Sequence, residues 1–302
     1  LGASARSLAN RAKAVALQQD WSRMERRGEI DRRLPHPSIN YNQTGDTRFR
    51  DYRTAFVSDA LLRELPGLMA LAAPGVEDGL RLLDYGCGLG RLAFAFSELF
   101  GADPRYRYVG HEVHPAAYEF LCDAYRDYDN ISFITDRLEI RDSYIEIEQS
   151  DGAQPAGASQ EGIAATEVQL LGRVEPDLDV QYSHSVFTHM YREPITTVLT
   201  EVAKVLGPTG VSVNTWLLVD RAAETAMRLG LADRQLPYEF DGFLSYSQDN
   251  PLACSAYRLD VVEEIYRSAG HTIVDIQHGS WSGRVPSQHM TYQDVVVSAP
   301  AK

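Results

Sequence analysis

Apolar residues recur at helical spacing through the first part of the chain. Leu8, Ala12, Val15, Ala16 and Trp21 predict an amphipathic helix, and Pro35 and Pro37 interrupt the chain beyond it. The segment NYNQTGDTRFRDYR (40–53) is rich in turn formers and arginine and reads as a polar loop. A second helical pattern through Phe56, Leu61, Leu62, Leu65 and Leu68 predicts a helix over 54–72, ended by Pro74-Gly75. From residue 81 the period changes. RLLDYG (81–86), RYVGHEV (107–113) and ISFITD (131–136) predict strands, with helices over RLAFAFSELF (91–100) and PAAYEFLCDAYRDY (115–128), the latter with Pro at its first turn. Strands separated by single helices at this spacing imply right-handed βαβ units and a parallel sheet.

The rhythm breaks over 137–176, where two β-like pieces, SYIEIEQ and TEVQLLGRV, flank DGAQPAGASQEG. Gly, Ala, Gln and Pro give that loop nothing to bury, so the reading is a hairpin insertion with a mobile tip at 151–162. DVQYSHSV (179–186) resumes the sheet, TTVLTEVAKVL (196–206) is helical, GPTG (207–210) is a turn and VSVNTWLLV (211–219) is a fifth strand. Residues 220–258 read as helix-plus-loop material rich in Tyr and Phe. LDVVEEIYRSAG (259–270) is a helix that Gly270 closes. HTIVDIQHG (271–279) and YQDVVVSAP (292–300) alternate and face each other across a loop, the last strand antiparallel. The expected class is α/β: a seven-stranded, mostly parallel, doubly wound sheet with a reversed last strand. A helical segment over 1–75 precedes the main domain over 76–302.

Composition narrows the functions open to this fold. The chain has 302 residues, 44% hydrophobic and 24% charged, near the globular average. With 29 Lys+Arg against 42 Asp+Glu the net charge is −13, which disfavours binding to a phosphate backbone. No run of residues is apolar enough for a membrane span, and the first twenty lack the apolar block of a signal peptide. Cys87, Cys122 and Cys254 form neither a paired framework nor a metal-binding spacing. These features together predict a cytoplasmic protein.

The first strand runs into Asp84-Tyr85-Gly86-Cys87-Gly88-Leu89-Gly90-Arg91 and then a helix. Glycines at alternate positions let backbone approach a ligand where any Cβ would collide, and the place is where α/β sheets bind ligands. Dinucleotide binding calls for G-x-G-x-x-G, whereas the pattern here is D-x-G-x-G-x-G, with Arg91 at the sixth position. Glu112 ends the second strand, where a carboxylate can accept from both ribose hydroxyls, and Asp136 ends the third, placed to meet an adenine amine.

At this point the chain resembles the class I S-adenosylmethionine-dependent methyltransferases. The resemblance covers roughly 78–300 and rests on LLDYGCGLGR, YVGHEVHP, ISFITD, LDVQYSHSVFTHM, EVAKVLGPTGVSV and the closing strand pair. It implies S-adenosyl-L-methionine as cofactor and S-adenosyl-L-homocysteine as product. Asp84, Gly86, Cys87, Gly88 and Gly90 would then hold the methionine part, with Ser183 at the end of the fourth strand. Arg91 either meets the cofactor carboxylate or only starts a helix. Glu112 and Val113 would hold the ribose, and Asp136, Arg137 and Leu138 would lie beside adenine. His111 stands where the family more often has a small or apolar residue, and the insertion after Asp136 is long.

His184 and His189 lie at and just after the carboxyl end of the fourth strand, which in this family faces the transferable methyl; each is a candidate general base. No His-x-His or His-x-x-x-His spacing appears, so a histidine metal site is not supported, while scattered Asp and Glu leave a divalent ion open. The stretch HGSWSGRVPSQHMTYQDVVV (278–297) looks like the tail of methyltransferases acting on saccharides or glycosylated small molecules. An indole at Trp281 can stack on sugar C–H surfaces while Arg284 binds hydroxyls, with His278 and Tyr246 as further acceptor contacts and the 220–258 segment as an acceptor-side lid. The alternative for Trp281 is that it fills a gap beside the reversed strand. The expected activity is O-methylation of a sugar or polar small molecule. N- or C-methylation, a non-catalytic module that binds the cofactor, and a nicotinamide dehydrogenase are the rivals. Tyr182-Ser183-His184-Ser185 departs from the Asp/Asn-Pro-Pro-Tyr signature of amino-methylating DNA enzymes.

Overall fold

The computed structural model describes residues 3–40, 46–72, 76–135, 172–284 and 292–301. The helices are α1 (Ala3–Arg26), α2 (Phe49–Asp59), α3 (Leu65–Leu71), α4 (Arg91–Phe100), α5 (Pro115–Ala124), α6 (Arg192–Val205), α7 (Arg221–Arg228) and α8 (Leu259–Ser268). The strands are β1 (Leu80–Tyr85), β2 (Tyr106–His111), β3 (Ile131–Ile134), β4 (Leu178–Ser183), β5 (Leu206–Trp216), β6 (Leu218–Val219), β7 (Tyr238–Glu239), β8 (Phe243–Ser245), β9 (Ala256–Arg258), β10 (His271–Gln277) and β11 (Asp294–Pro300). Seven of them form one sheet in the order β10-β11-β5-β4-β1-β2-β3. β1 and β4, β4 and β5, and β2 and β3 pair in parallel, while β11 runs against both its neighbours. The expected sheet with a reversed last strand is therefore present. Most of the hairpin expected over 137–176, its tip at 151–162 and Pro74-Gly75 lie outside the described residues.

Contacts gather the chain into two units, Leu1–Pro66 with Cys87–Thr135, and Gly67–Gly86 with Asp136–Lys302. In the first, Leu17 and Trp21 of α1 share a core with Leu34, Phe49, Tyr52, Phe56, Leu89, Phe94 and Ala117. Trp21 meets the rings of His36, Phe49 and Tyr52 edge-on. α2 begins at Phe49, inside the stretch expected as loop up to Arg53. Its side chains at 49, 52 and 56 fall on one buried face, and its first amide donates to Asp20 Oδ2 of α1 at 2.9 Å. A helix start capped from another element leaves no capping signal in its own sequence.

In the second unit α6 buries Ile195, Val198, Leu199, Val202 and Val205, and α8 buries Val262, Ile265 and Tyr266. α8 ends at Gly270, whose φ of +78° lets the chain turn back, as its sequence predicts. Trp216 fills the centre among Phe187, Tyr257 and Tyr266. Two expectations are corrected here. GPTG (207–210) lies within β5: Leu178 pairs with Leu206 and Val180 with Val211, so the four residues form a bulge opposite Asp179 rather than a turn before the strand. The 220–258 segment holds α7 and β7, β8 and β9, which join β6 in a second sheet of order β6-β9-β8-β7. Strands of two or three residues are too short to show an alternating pattern.

Candidate functional site

The three glycines after β1 have different surroundings. Gly86 has φ +76°, and a Cβ there would overlap Val186 Cγ2, in the turn that follows β4. Gly90 has φ +81°, and a Cβ there would stand 2.5 Å from Leu121 Cδ2. Gly88 has φ +57°, and nothing among the described residues lies within 4 Å of its Cβ position. Gly86 and Gly90 thus let the chain pack against itself, while Gly88 leaves bare peptide facing open space. Asp84 is buried on β1, in register with Tyr182 of β4.

Glu112 follows β2 and is only 7% exposed. Its Oε2 accepts the Gly88 amide at 2.8 Å, and its Oε1 accepts the His114 amide at 2.7 Å. Burial raises this carboxyl above its usual pKa, and the two amides partly offset that. A carboxylate offers about four acceptor positions, so the two amides fix its orientation and leave acceptor capacity on both oxygens. That is the requirement for gripping a vicinal diol beside uncovered backbone, and it fits an adenosine ribose.

No family model matches the chain. Its fold is similar to that of DesVI from Streptomyces venezuelae, with 15% identity over 89% of this chain and 99% of that one and a TM-score of 0.49. It is also similar to the CcbJ methyltransferase from Streptomyces caelestis, at 15% identity, 81% and 90% coverage and a TM-score of 0.48. A third is a TehB-like SAM-dependent methyltransferase from Corynebacterium glutamicum, at 15% identity, 83% and 97% coverage and a TM-score of 0.43. The strand order, with reversed β11 inserted between β10 and β5, decides the architecture on its own. This is the strand order that the resemblance to the class I S-adenosylmethionine-dependent methyltransferases implies.

In open α/β sheets, ligands lie outside the carboxyl ends of the strands. In the second unit those ends carry Gly86, Ser183, Trp216 and Gln277, since β1, β4, β5 and β10 all run against β11 or parallel to a strand that does. After β4 the chain turns through Ser185, at φ +59°, into a short 3-10 turn over Phe187–His189. His189 Nδ1 lies 2.9 Å from the Leu252 carbonyl, so Nδ1–H donates and the neutral ring keeps its lone pair on Nε2. Burial lowers its pKa below 6.5; the bond to Leu252 opposes that, and the charge of Arg234 adds to it. The segment expected as an acceptor lid holds this turn in place. The Ser255 amide donates to Thr188 O at 2.7 Å and Tyr257 OH donates to Met190 O at 2.8 Å. His184 is half-buried, its ring 6.2 Å from that of Tyr182.

Several expected contacts are corrected. Trp281 is 0% exposed and packs among Leu217, Val219, Leu236 and Cys254, so neither indole face is open to a sugar; it fills space beside β11. Its Nε1–H donates at 2.5 Å to Asp294 Oδ2. Arg284 pairs with Asp220, the N-cap of α7. Ser183 is fully buried and donates its hydroxyl to Asn214 Oδ1 at 2.7 Å, which turns the side chain into the sheet. Cys87 is buried with its sulfur toward Gly110, and Arg91 starts α4 and pairs with Glu64. Val113 is half-buried beside Glu112, and Tyr246 is exposed. His278 Nδ1 lies 3.2 Å from Asp294 Oδ1. Asp136, Arg137 and Leu138 lie outside the described residues.

Sequence reasoning did not single out Asp294, Thr215, Gln293 or Ser185. Asp294 is fully buried and also accepts the Leu218 and Gly279 amides at 2.7 and 2.9 Å. A carboxylate heading an apolar strand is the signal that could have found it, because such a group must be satisfied from elsewhere. Among the described residues no group of three or more His, Cys, Asp or Glu could hold a metal ion, and no helix is long and apolar enough to cross a membrane.

Proposed function

We propose that this chain transfers the methyl group of S-adenosylmethionine to a hydroxyl oxygen of a polar small molecule, with saccharides and glycosides as the acceptor class. The observation that carries the reading is the carboxylate of Glu112, fixed by two amides beside the open space at Gly88. Glu112 accepts from the ribose hydroxyls, and Gly88 gives the ligand peptide without a side chain. When bound, the cofactor supplies an electrophilic methyl on a sulfonium. The saccharide part draws on the exposed ring of Tyr246 in the segment over 238–251, now that Trp281 is turned inward.

An acceptor hydroxyl is too weakly acidic to ionise unaided, so a base assists its attack. His189 suits that role: its proton is held on Nδ1 by Leu252, and its lowered pKa keeps the ring neutral near pH 7. Alignment of the two partners supplies about 7–11 kcal/mol of the barrier, against roughly 10²–10⁴-fold from a general base. Positioning therefore dominates, and loss of His189 lowers turnover without abolishing it.

The test is calorimetric titration of the protein with S-adenosylhomocysteine and with NADH, followed by a methyl-release screen over sugars, glycosides and phenols. Binding of the first ligand alone is expected. Binding of NADH instead, or of neither, refutes the reading.

A further inference from the structure

Ser185 and Asp177 are the non-glycine residues with positive φ among the described residues, at +59° and +68°. The left-handed backbone of Ser185 is held from β5 and from the residue just before β11. Its amide donates to Thr215 Oγ1 of β5 at 2.7 Å, the Thr215 hydroxyl donates to Gln293 Oε1 at 2.5 Å, and Gln293 Nε2 donates to Ser185 Oγ at 3.0 Å. The three side chains close a ring. Thr215 gives its proton to Gln293 and Gln293 gives one to Ser185, so the Ser185 hydroxyl proton is directed to neither. Residue 185 lies two past the end of β4, and the next residue, Val186, packs on Gly86 of the glycine loop. The ring thus leaves a hydroxyl donor just past the carboxyl end of β4, one residue before the contact with Gly86. A non-glycine residue in a left-handed conformation, over-determined by its neighbours, is a mark of a functional position.

We propose that Ser185 is a substrate-positioning residue. Its hydroxyl donates to a second oxygen of the acceptor, next to the oxygen that receives the methyl, so that the acceptor is a vicinal diol or an equivalent oxygen pair. The proposal rests on the methyltransferase reading above.

The test compares wild type with Ser185→Gly and Ser185→Ala. It uses thermal melts, S-adenosylhomocysteine titration, and NMR of the Gln293 side-chain amide, with methyl α-D-glucopyranoside and catechol as acceptor probes on product-saturated protein. Glycine adopts this φ freely, so Ser185→Gly should melt at or above wild type and keep its S-adenosylhomocysteine affinity. In wild type a probe should shift the Gln293 amide resonances; in both variants its binding should weaken by about tenfold, the scale of one hydrogen bond. A Ser185→Gly melt well below wild type would make the ring purely structural. A tenfold loss of S-adenosylhomocysteine affinity would assign the hydroxyl to the cofactor. A Gln293 amide unmoved by either probe, or unchanged by Ser185→Gly, would remove the acceptor contact. Each of those overturns this proposal alone, whereas failure of wild type to bind S-adenosylhomocysteine overturns the methyltransferase reading beneath it.

Discussion

Glu112 and Gly88 hold each other in place: the carboxylate Oε2 accepts the glycine amide at 2.8 Å across 24 residues of chain. The residue proposed to grip the ribose is thus also the residue that fixes the loop proposed to cradle the rest of the cofactor. Glu112→Ala should weaken S-adenosylhomocysteine binding steeply, since each hydrogen bond to a charged group contributes roughly 1.5–3 kcal/mol. Glu112→Gln keeps one acceptor oxygen and should fall between. Calorimetric titration checks both, and equal affinities for all three proteins would sink the ribose assignment.

The same residue sets a pH dependence. Burial raises its pKa above the usual 4.5, so the folded chain binds this proton more tightly than the unfolded chain does. The stability cost of ionising it is absent below the unfolded value and complete above the folded one. Ligand binding runs the other way, because the diol needs the carboxylate. S-adenosylhomocysteine affinity should therefore decline on acidification at a pH higher than an ordinary carboxyl would give, and the decline should vanish in Glu112→Gln.

The glycine loop predicts a contrast between neighbours. An alanine at Gly86 must both adopt a φ of +76° and displace Val186, so Gly86→Ala should destabilise the fold by several kcal/mol. At Gly88 the space is open, and Gly88→Ala should lower stability by only about 1–2 kcal/mol, the left-handed term, while its methyl blocks the ligand. Urea unfolding beside ligand titration separates the two. Parallel losses in both assays for both variants would contradict the division of roles.

Histidine burial gives a second pH window. His189 and His271 both have pKa values lowered by burial; the carbonyls of Leu252 and Leu199, at 2.9 and 2.8 Å, oppose the shift. Both rings are neutral in the fold. Above an unfolded value of about 6.5 this carries no penalty; as pH falls the unfolded chain takes up protons first, and stability is lost until the folded values are passed. Melting temperature should drop as pH is lowered from about 7.5 through 6.5, and His271→Asn should flatten the profile. A wild-type profile flat over that range would show that the rings are not held neutral.

Much of this architecture was written in local pattern. The alternation of apolar runs with amphipathic helices carried the mostly parallel sheet and its reversed last strand, Gly270 marked the end of α8, and Asp84, the glycine trio and Glu112 stood out by spacing alone. The features that stayed hidden depend on partners far apart in the chain. The start of α2 is capped by Asp20, Ser183 looks inward because Asn214 waits on the next strand, and the left-handed turn at Ser185 is imposed by Thr215 and Gln293. Trp281 misled for the same reason. An indole in a polar loop reads as a ligand platform until the buried carboxylate that captures its N–H is known.

Trp281 and Asp294 provide the sharpest check on that correction. If the indole served an acceptor, Trp281→Ala would cut acceptor binding and leave stability nearly intact. The buried position predicts the reverse: the loss of a fully packed indole should cost about 3–5 kcal/mol in urea unfolding. Trp281→Phe keeps most of the volume and removes the donor to Asp294, so it should cost about 1.5–3 kcal/mol, the range for a hydrogen bond to a charged acceptor. Asp294→Ala leaves the donors of Trp281, Leu218 and Gly279 unmet in a dry interior and should be the most damaging of the three. In an Asp294→Asn background the Trp281→Phe penalty should shrink, because the charge that strengthened the bond is gone. That coupling, read from a double-mutant cycle, belongs to the pair and not to either residue alone. A cycle that closes to zero would mean that the indole sits in its pocket by packing only, and that Asp294 anchors the loop through its backbone contacts.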